Sequence, residues 1–382
     1  MKEKRTFYME TYRFDRLNIV LNKQGATEFA KVSYPIRYGL LSEIKTDDYL
    51  YQYNLNGEIK HIQGTTDNWP HPSEWLKRTV ANDWIYYSAG NYDDIYGLFG
   101  EYYIPCLSYS SNAFIGVNKF ADKVIQRAVS SWENVPETLT APRSGNCSET
   151  LSSFLARLTH YNSAELKKRA GQLHAILNGR ITVLPPDARH VDYDVIPVMV
   201  ADGCLYNCGF CRIKTGRHFA PRSRQNIIDQ IRSLKLFYDQ DVCNYNSIFL
   251  GQHDALHAGA DLIEFTAQTA YECFDFEHSH LASANLFLFG SVDSMLNAEE
   301  KLFERLNRLP YNTYINLGLE SADSDTLSGL QKPIASDAVR GTFAKMIRIN
   351  KKYERIEVSA NFVLGKNLPQ THLPCLIDLV RN

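Results

Sequence analysis

The segment VIPVMVADGCLYNCGFC, residues 195–211, decides how the rest of the chain is read. Its first seven residues, Val195 to Ala201, form an apolar run with the length and β-branched content of a buried strand. Three cysteines follow within nine residues, Cys204, Cys208 and Cys211, with Phe210 just before the last. A structural zinc site is closed by four ligands, usually contributed by paired Cys-x-x-Cys units. Here a single pair has that spacing, and the nearest fourth candidate is His218. An electron-transfer iron–sulfur cluster uses four cysteines, whereas three thiolates on a four-iron cluster leave one iron open to another ligand. The spacing favours the three-ligand cluster, with zinc as the alternative.

Downstream of this loop, apolar strands alternate with amphipathic helices. Ser247–Leu250, Leu286–Phe289, Tyr314–Leu317 and Ile356–Val363 read as four further strands. Ser223 is placed to cap a helix bearing Ile227, Ile231 and Leu234. Asn297 with Glu300 predicts the start of one bearing Leu302, Leu306 and Leu309, and Ser336 the start of one bearing Val339, Phe343 and Met346. Near-continuous apolar strands separated by helices imply a parallel sheet covered by helices. Five strands are fewer than the eight of a closed β/α barrel, so the expected architecture is α/β, a partial, open parallel barrel. Leu376 to Asn382 reads as a further helix, and a last strand is expected to be missing or supplied elsewhere. The cysteine loop leaves the first strand, on the side where parallel α/β proteins gather their functional groups.

The first half of the chain is of a different kind. Tyr51–Leu55 alternates into Asn56-Gly57, and Glu58–Ile62 alternates out, a strong hairpin signal. An aromatic-rich stretch from Trp69 to Tyr109 reads as a small α+β core. Phe120, Val124, Ala128 and Trp132 recur at helical spacing, Leu151 to Thr159 reads as a helix, and another runs from an Asn162/Glu165 capping pattern to Asn178-Gly179. Arg180–Leu184 reads as a strand ended by Pro185-Pro186. Residues 1–190 are therefore assigned to an N-terminal α+β accessory domain of unassigned role, and 191–382 to the parallel α/β core.

Bulk composition limits the partners. A net charge of −2 gives no overall electrostatic case for a polyanion. No stretch approaches the roughly 20 apolar residues of a membrane helix. The N-terminal MKEKRTFYMETYRFDRLN has no apolar core of the secretory kind. Together these point to the cytoplasm, no membrane partner and reduced cysteines. The remaining five cysteines, Cys106, Cys147, Cys243, Cys273 and Cys375, stand singly and read as small buried hydrophobes.

Cys-x-x-x-Cys-x-x-Cys after the first strand of a parallel sheet is similar to the signature of the radical S-adenosylmethionine (SAM) superfamily, and the chain resembles that superfamily from about Val195 to Gly365. The resemblance implies that Cys204, Cys208 and Cys211 hold a 4Fe-4S cluster, that SAM binds its open iron, and that reductive cleavage gives a 5′-deoxyadenosyl radical that abstracts hydrogen from substrate. It implies a place for Phe210 beside the adenine, and for Asp254, with His253 as alternative acceptor and Gln252 in the same loop, at the SAM amino group, although the family's paired glycines are absent there. Ser291 falls near the ribose or substrate. Gly318-Leu319-Glu320-Ser321 resembles the Gly-x-Glu-Ser of the methylthiotransferase and coproporphyrinogen dehydrogenase branch, which places Glu320 and Ser321 at the SAM carboxylate or ribose. Asn361–Gly365, with Val363, resembles the strand that lines the adenine, with Asn361 in place of a glycine and Leu368 in place of a later acid. Residues 254–257 lack the Asp-x-His-x-x-Gly of cobalamin-binding domains.

The basic run Arg212, Lys214, Arg217, His218, Arg222 and Arg224 has two readings, a solvated face or a counter-charge to the SAM carboxylate or an anionic substrate. The implied partners are an unidentified substrate, a small molecule ahead of RNA, and a reducing electron donor. The alternatives are an RNA-modifying radical SAM enzyme, and a zinc or iron–sulfur protein that does not cleave SAM.

Overall fold

The computed structural model describes residues 8–14, 16–28, 38–70, 72, 74–88, 102–105, 119–139, 148–179, 195–206, 208–211, 216–251, 253–365 and 367–381. The chain divides into two compact units. One is Met1–Tyr193 with two short later segments, Leu236–Tyr245 and His278–Ala282; the other is Asp194–Lys235, Asn246–Glu277 and Ser283–Asn382.

The first unit carries an eight-stranded antiparallel sheet whose strands pair in chain order. They are β1 (Glu10–Phe14), β2 (Leu17–Gln24), β3 (Leu40–Lys45), β4 (Tyr49–Tyr53), β5 (Ile59–Gly64), β6 (Glu74–Arg78), β7 (Trp84–Ser88) and β8 (Tyr102–Pro105). Alternation drives the sheet's burial: Leu17, Ile19 and Leu21 of β2 turn inward while Asn18 is exposed. The predicted hairpin joins β4 to β5, but not by a two-residue turn. Asn54 and Glu58 pair across a three-residue loop in which Gly57 has φ +86°, the turn-plus-bulge form of the Asn-Gly signal. Helices α1 (Lys123–Ser131), α2 (Glu149–His160) and α3 (Ser163–Leu177) supply the rest of the core, with Ile125, Ala128, Trp132, Phe154 and Leu158 among the buried side chains. Ser148 and Asn162 cap α2 and α3 by accepting from Leu151 N–H and Glu165 N–H, and Asn178 ends α3 at φ +52°. The strand read at Arg180–Leu184 lies outside the described residues.

A buried polar cluster ties this unit's later segment to its hairpin. Asp241 accepts from Asn54 Nδ2 (3.1 Å), Leu55 N–H (3.3 Å) and Asn244 Nδ2 (2.7 Å), and Asn244 exchanges two 2.8 Å bonds with the Leu40 backbone. Beside it Glu58 takes Arg78 at 3.0 Å and Arg169 at 2.9 Å.

The second unit holds a five-stranded, wholly parallel sheet. Its strands are β9 (Ile196–Val198), β12 (Ser247–Leu250), β13 (Asn285–Gly290), β14 (Asn312–Glu320) and β15 (Ile356–Phe362), paired in that order. Two-residue strands β10 (Ala201–Asp202) and β11 (Ala220–Pro221) form a separate antiparallel clip. The helices are α4 (Arg224–Tyr238), α5 (Ala260–Phe274), α6 (Val292–Asn297), α7 (Glu300–Arg308), α8 (Ser324–Gly329), α9 (Ser336–Lys352) and α10 (His372–Arg381). Right-handed crossovers that always step in one direction put the connecting helices on one face of the sheet. The alternation agrees: Ile248, Leu286, Leu288, Ile315, Leu317 and Val358 are buried, while Phe287, Phe289, Tyr314, Asn316 and Ser359 between them are half-buried. The sheet is open, with β9 and β15 as its two edges.

Two local readings are corrected. Asn297 does not open a helix; it ends α6, and α7 begins after Glu299. The physical reason is an earlier cap, Ser291, whose hydroxyl accepts from Ser294 N–H at 3.1 Å and starts α6 five residues sooner than the sequence signal. Helix α5 was not read from the sequence at all, although Ile263, Ala267, Ala270 and Phe274 bury one face of it.

Burial raises the Asp241 carboxyl to about 7, against the pull of Lys60 and its hydrogen bonds. A carboxyl raised above its unfolded value of about 4 favours the folded state when protonated, so its contribution is complete below about pH 4 and is lost as the pH rises toward 7. The melting temperature of the protein should therefore fall relative to that of Asp241→Asn, whose side chain does not titrate, as the pH rises from 4 to 7. A gap that stays constant with pH would contradict this.

Candidate metal centre and the loops around it

The clip β10–β11 builds the base of the cysteine loop. Ala201 pairs with Pro221 and Asp202 with Ala220. Arg222 N–H donates to Val200 O at 2.9 Å, and Cys204 N–H to Arg217 O at 3.4 Å. Gly203 has φ +73°, and a Cβ there would overlap the His218 carbonyl oxygen, so the close approach of the two chain segments requires glycine. Arg222 is buried and grips Asp202 with two bonds, of 3.0 and 2.6 Å. Arg224 lies 4.7 Å over the Phe265 ring. Arg222 and Arg224 thus have partners within the fold; Arg217, His218 and Arg224 are exposed, and Arg212 and Lys214 lie outside the described residues.

All three thiols are free of disulfides, with Cys208 buried and Cys204 and Cys211 half-buried. A turn links two of them, Cys211 N–H donating to Cys208 O at 3.3 Å. Burial pushes the Cys204 thiol up, aided by Asp254 and Cys211. Burial likewise raises Cys208, where Lys332 opposes the effect and Cys204, Cys211 and Glu320 add to it. The three sulfurs therefore stand in one electrostatic neighbourhood, into which Asp254, Glu320 and Lys332 also reach. Among the described residues no group of three His, Cys, Asp or Glu side chains is gathered tightly enough to hold a metal ion. As a donor set the thiols still fit a cluster, which takes each thiolate on a separate iron and does not ask them to share an ion. Phe210 is 44% exposed beside them, and a Cβ on Gly209 would overlap the Gln331 side chain.

The loops after β12 and β13 are joined by Asp254. Its buried carboxylate accepts from Ser291 N–H at 3.1 Å and from the Ser294 hydroxyl, while the two serine hydroxyls bond each other at 2.7 Å. Both carboxylate oxygens are thus engaged in tying one loop to the start of α6. Burial lowers His253, opposed by Asp202 and Asp254 beside it. Gln252 lies outside the described residues. Tyr206 of the cysteine loop accepts from Asp293 N–H at 3.1 Å, which attaches that loop to the same helix start.

The end of β14 is tightly constrained. Glu320 has φ +62°, a conformation that costs a non-glycine residue energy and recurs at functional sites. Its carboxylate accepts from Lys332 Nζ at 3.0 Å, and Lys332 also donates to Gly318 O at 2.7 Å. A Cβ on Gly318 would sit 2.5 Å from Glu320 Oε1 and 3.2 Å from Lys332 Nζ, so glycine makes the space for the pair. Ser321 faces away from this pair. Its hydroxyl is buried, accepts from Asp323 N–H at 3.0 Å and meets His372 Nδ1 at 2.8 Å. His372 Nε2 lies 2.9 Å from Val363 O, which assigns its proton to Nε2 and makes Nδ1 the acceptor from Ser321. Val363 N–H donates to Glu320 O at 2.9 Å. Ser321 and Val363 therefore enter the site through a buried latch between β14, β15 and α10. The residues missed in the sequence are Lys332, His372 and Tyr206. Lys332 follows Glu320 by twelve positions and His372 follows Ser321 by fifty-one, and no local pattern marks either.

No family model matches the chain, and no curated protein matches it. Three solved structures of the cobalamin-dependent S-adenosylmethionine radical enzyme OxsB are similar to part of it. The form with aqua-cobalamin and S-adenosylmethionine bound is 14% identical with TM-score 0.37, covering 49% of this chain and 26% of that one. The aqua-cobalamin form is 15% identical with TM-score 0.36 and the same coverage. The apo, selenomethionine-labelled form is 14% identical with TM-score 0.36, covering 48% and 26%. The matched region spans about a quarter of the length of those chains, and a likeness this distant assigns nothing to this one.

Replacing His372 by leucine leaves the Ser321 hydroxyl and the Val363 carbonyl without their buried partner. The expected loss is about 1–3 kcal/mol of folding free energy, read from the urea midpoint. An unshifted midpoint would show that the latch contributes nothing.

Proposed function

We propose that this chain is a radical SAM enzyme whose open parallel sheet is a partial β/α barrel. In this reading Cys204, Cys208 and Cys211 hold a 4Fe-4S cluster. The observation that carries it is the placement of three cysteines outside any disulfide, with three and two residues between them, on the loop leaving the first parallel strand. The strained Glu320 ends β14, and its partner Lys332 lies 5.9 Å from the ring centre of Tyr206 in the cysteine loop. When bound, the cluster would supply the electron that cleaves SAM to methionine and a 5′-deoxyadenosyl radical able to take hydrogen from substrate.

The chain's own residues then have distinct tasks. The clip at Gly203 and the Cys208–Cys211 turn hold the thiols in place before any metal arrives, and ligation takes their protons. Phe210 offers an exposed ring for the adenine. His253, with Asp254 beside it, is assigned to the SAM amino group, as is Gln252 by its place in the sequence. His253 is the ready acceptor of the two described residues, because burial keeps it neutral and the Asp254 oxygens already accept from Ser291 and Ser294. Ser291 holds that loop, and Glu320 meets the ribose or carboxylate end of SAM. Ser321 and Val363 act as positioning groups through the His372 latch. The half-buried face of the sheet, with Phe287 stacked on Tyr314 and the Asn316, Ser359 and Asn361 side chains bonded to one another, is the wall available to a substrate. That wall is aromatic and polar and carries an acid, Glu357, in register with Tyr314, which suits a small molecule better than RNA.

Anaerobic reconstitution with iron and sulfide should load close to four irons per chain and, after reduction, cleave SAM to methionine and 5′-deoxyadenosine, since cluster and SAM chemistry go together in this class. Cys208→Ala should lose both. Retention of both would sink the proposal, zinc without iron would favour a zinc-stabilised binding module, and a loaded cluster whose spectrum ignores SAM would favour a cluster protein without SAM cleavage.

A further inference from the structure

On the half-buried face of the parallel sheet the strand register sets side chains in rows. In one row Phe287 stands beside Tyr314, and Tyr314 beside Glu357. The next row toward the loops holds Phe289, Asn316 and Ser359, and the row after it Gly318 and Asn361. All of these residues are half-buried, whereas Leu286, Leu288, Ile315, Leu317 and Val358 on the opposite face are buried. The face with the rows therefore keeps surface that a small molecule can reach.

The rows differ in chemistry. In the first, the Phe287 and Tyr314 rings stack with centres 5.1 Å apart and planes 15° apart, next to the Glu357 acid. Aromatic faces and a carboxylate both attract a cation and repel an anion. Within these rows Glu357 is the charged side chain. A carboxylate has about four acceptor positions, so Glu357 can take a ligand alongside a protein partner. In the rows above, the Asn316 and Asn361 amides bond each other at 3.1 and 2.9 Å, and Asn316 donates to Ser359 at 3.0 Å. Among the described residues these bonds leave one Asn361 N–H, the Ser359 O–H and a lone pair on each amide oxygen for a neutral polar group. Parallel strands rise about 3.3 Å per residue, which puts Ser359 ~7 Å from Glu357 on the side of the loops.

We infer that this face selects a cationic substrate, an elongated primary amine. Its ammonium sits against Glu357, Tyr314 and Phe287, and a neutral amide or hydroxyl about 7 Å along it meets Ser359 and Asn361. The end away from the ammonium then points to the strand ends, where the cysteine loop leaves β9. Calling this ligand a substrate rests on the radical SAM reading above; its binding does not. Glu357 sets the preference for charge, and the linked Asn316, Ser359 and Asn361 side chains set the position of the polar group.

The test is isothermal titration calorimetry on the full chain with three probes that share one acetamide-pentyl skeleton. They are monoacetyl diaminopentane, a cation; hydroxypentyl acetamide, its neutral counterpart; and acetamidohexanoate, an anion. The amine should bind about tenfold more tightly than the alcohol, as one charge-assisted hydrogen bond provides, and the anion more weakly than either. Glu357→Gln should remove most of the preference for the amine. Asn361→Leu should weaken amine and alcohol alike, because both carry the amide. Equal binding of amine and alcohol to the wild type, or binding of neither, would overturn the inference, and so would a preference that survives Glu357→Gln. The wild-type comparison decides even where a variant does not fold. None of these outcomes depends on iron: wild-type protein that prefers the amine yet neither loads iron nor cleaves SAM would overturn the enzyme reading and leave the cation site standing.

Discussion

Parallel pairing is the constraint on which the second unit depends. Strands that run in one direction deliver all their C-terminal ends to one edge, so the loops after β9, β12, β13, β14 and β15 must meet there. Hydrogen bonds then lace these loops to one another. Tyr206 reaches the start of α6, Asp254 joins the β12 loop to that same start, Val363 bonds the end of β14, and His372 fastens α10 behind it. Each link crosses between separate loops, so the edge is held as a set and not as five independent turns.

The same economy of buried polar groups recurs in the first unit with a different outcome. There Glu58 sits between Arg78 and Arg169, and Asp241 is met by three donors. Such groups cost free energy unless every one is partnered, which makes them better at selecting one arrangement than at adding stability. In the first unit they fix which segment of the later chain packs on the hairpin. In the second they brace the strand ends: an ion pair closes the end of β14, and a carboxylate is spent on holding two loops.

This difference alters how individual site residues are understood. Asp254 and Ser321 are both placed at SAM by resemblance, yet their polar atoms are engaged within the protein. Glu320 is the opposite case. Its backbone lies in the left-handed region and its half-buried carboxylate is paired with Lys332. Backbone strain of this kind persists only where the surroundings over-determine it, here through Gly318, Lys332 and the bond from Val363 to its carbonyl.

What the sequence determined by itself is what a few neighbouring residues can encode. The cysteine spacing, the five apolar strands, the caps at Asn162 and Ser223 and the hairpin glycine at 57 all depend on contacts within about one turn or one strand. Even there, Asn297 misled because Ser291 offered a competing cap a few residues earlier, and α5 passed unread. Tertiary structure alone decided the pairings across long stretches of chain: Lys332 with Gly318 and Glu320, His372 with Ser321 and Val363, Tyr206 with Asp293, Asp241 with Asn54. Those partners are set by which strand ends the sheet brings together, and a linear pattern carries no record of that distance.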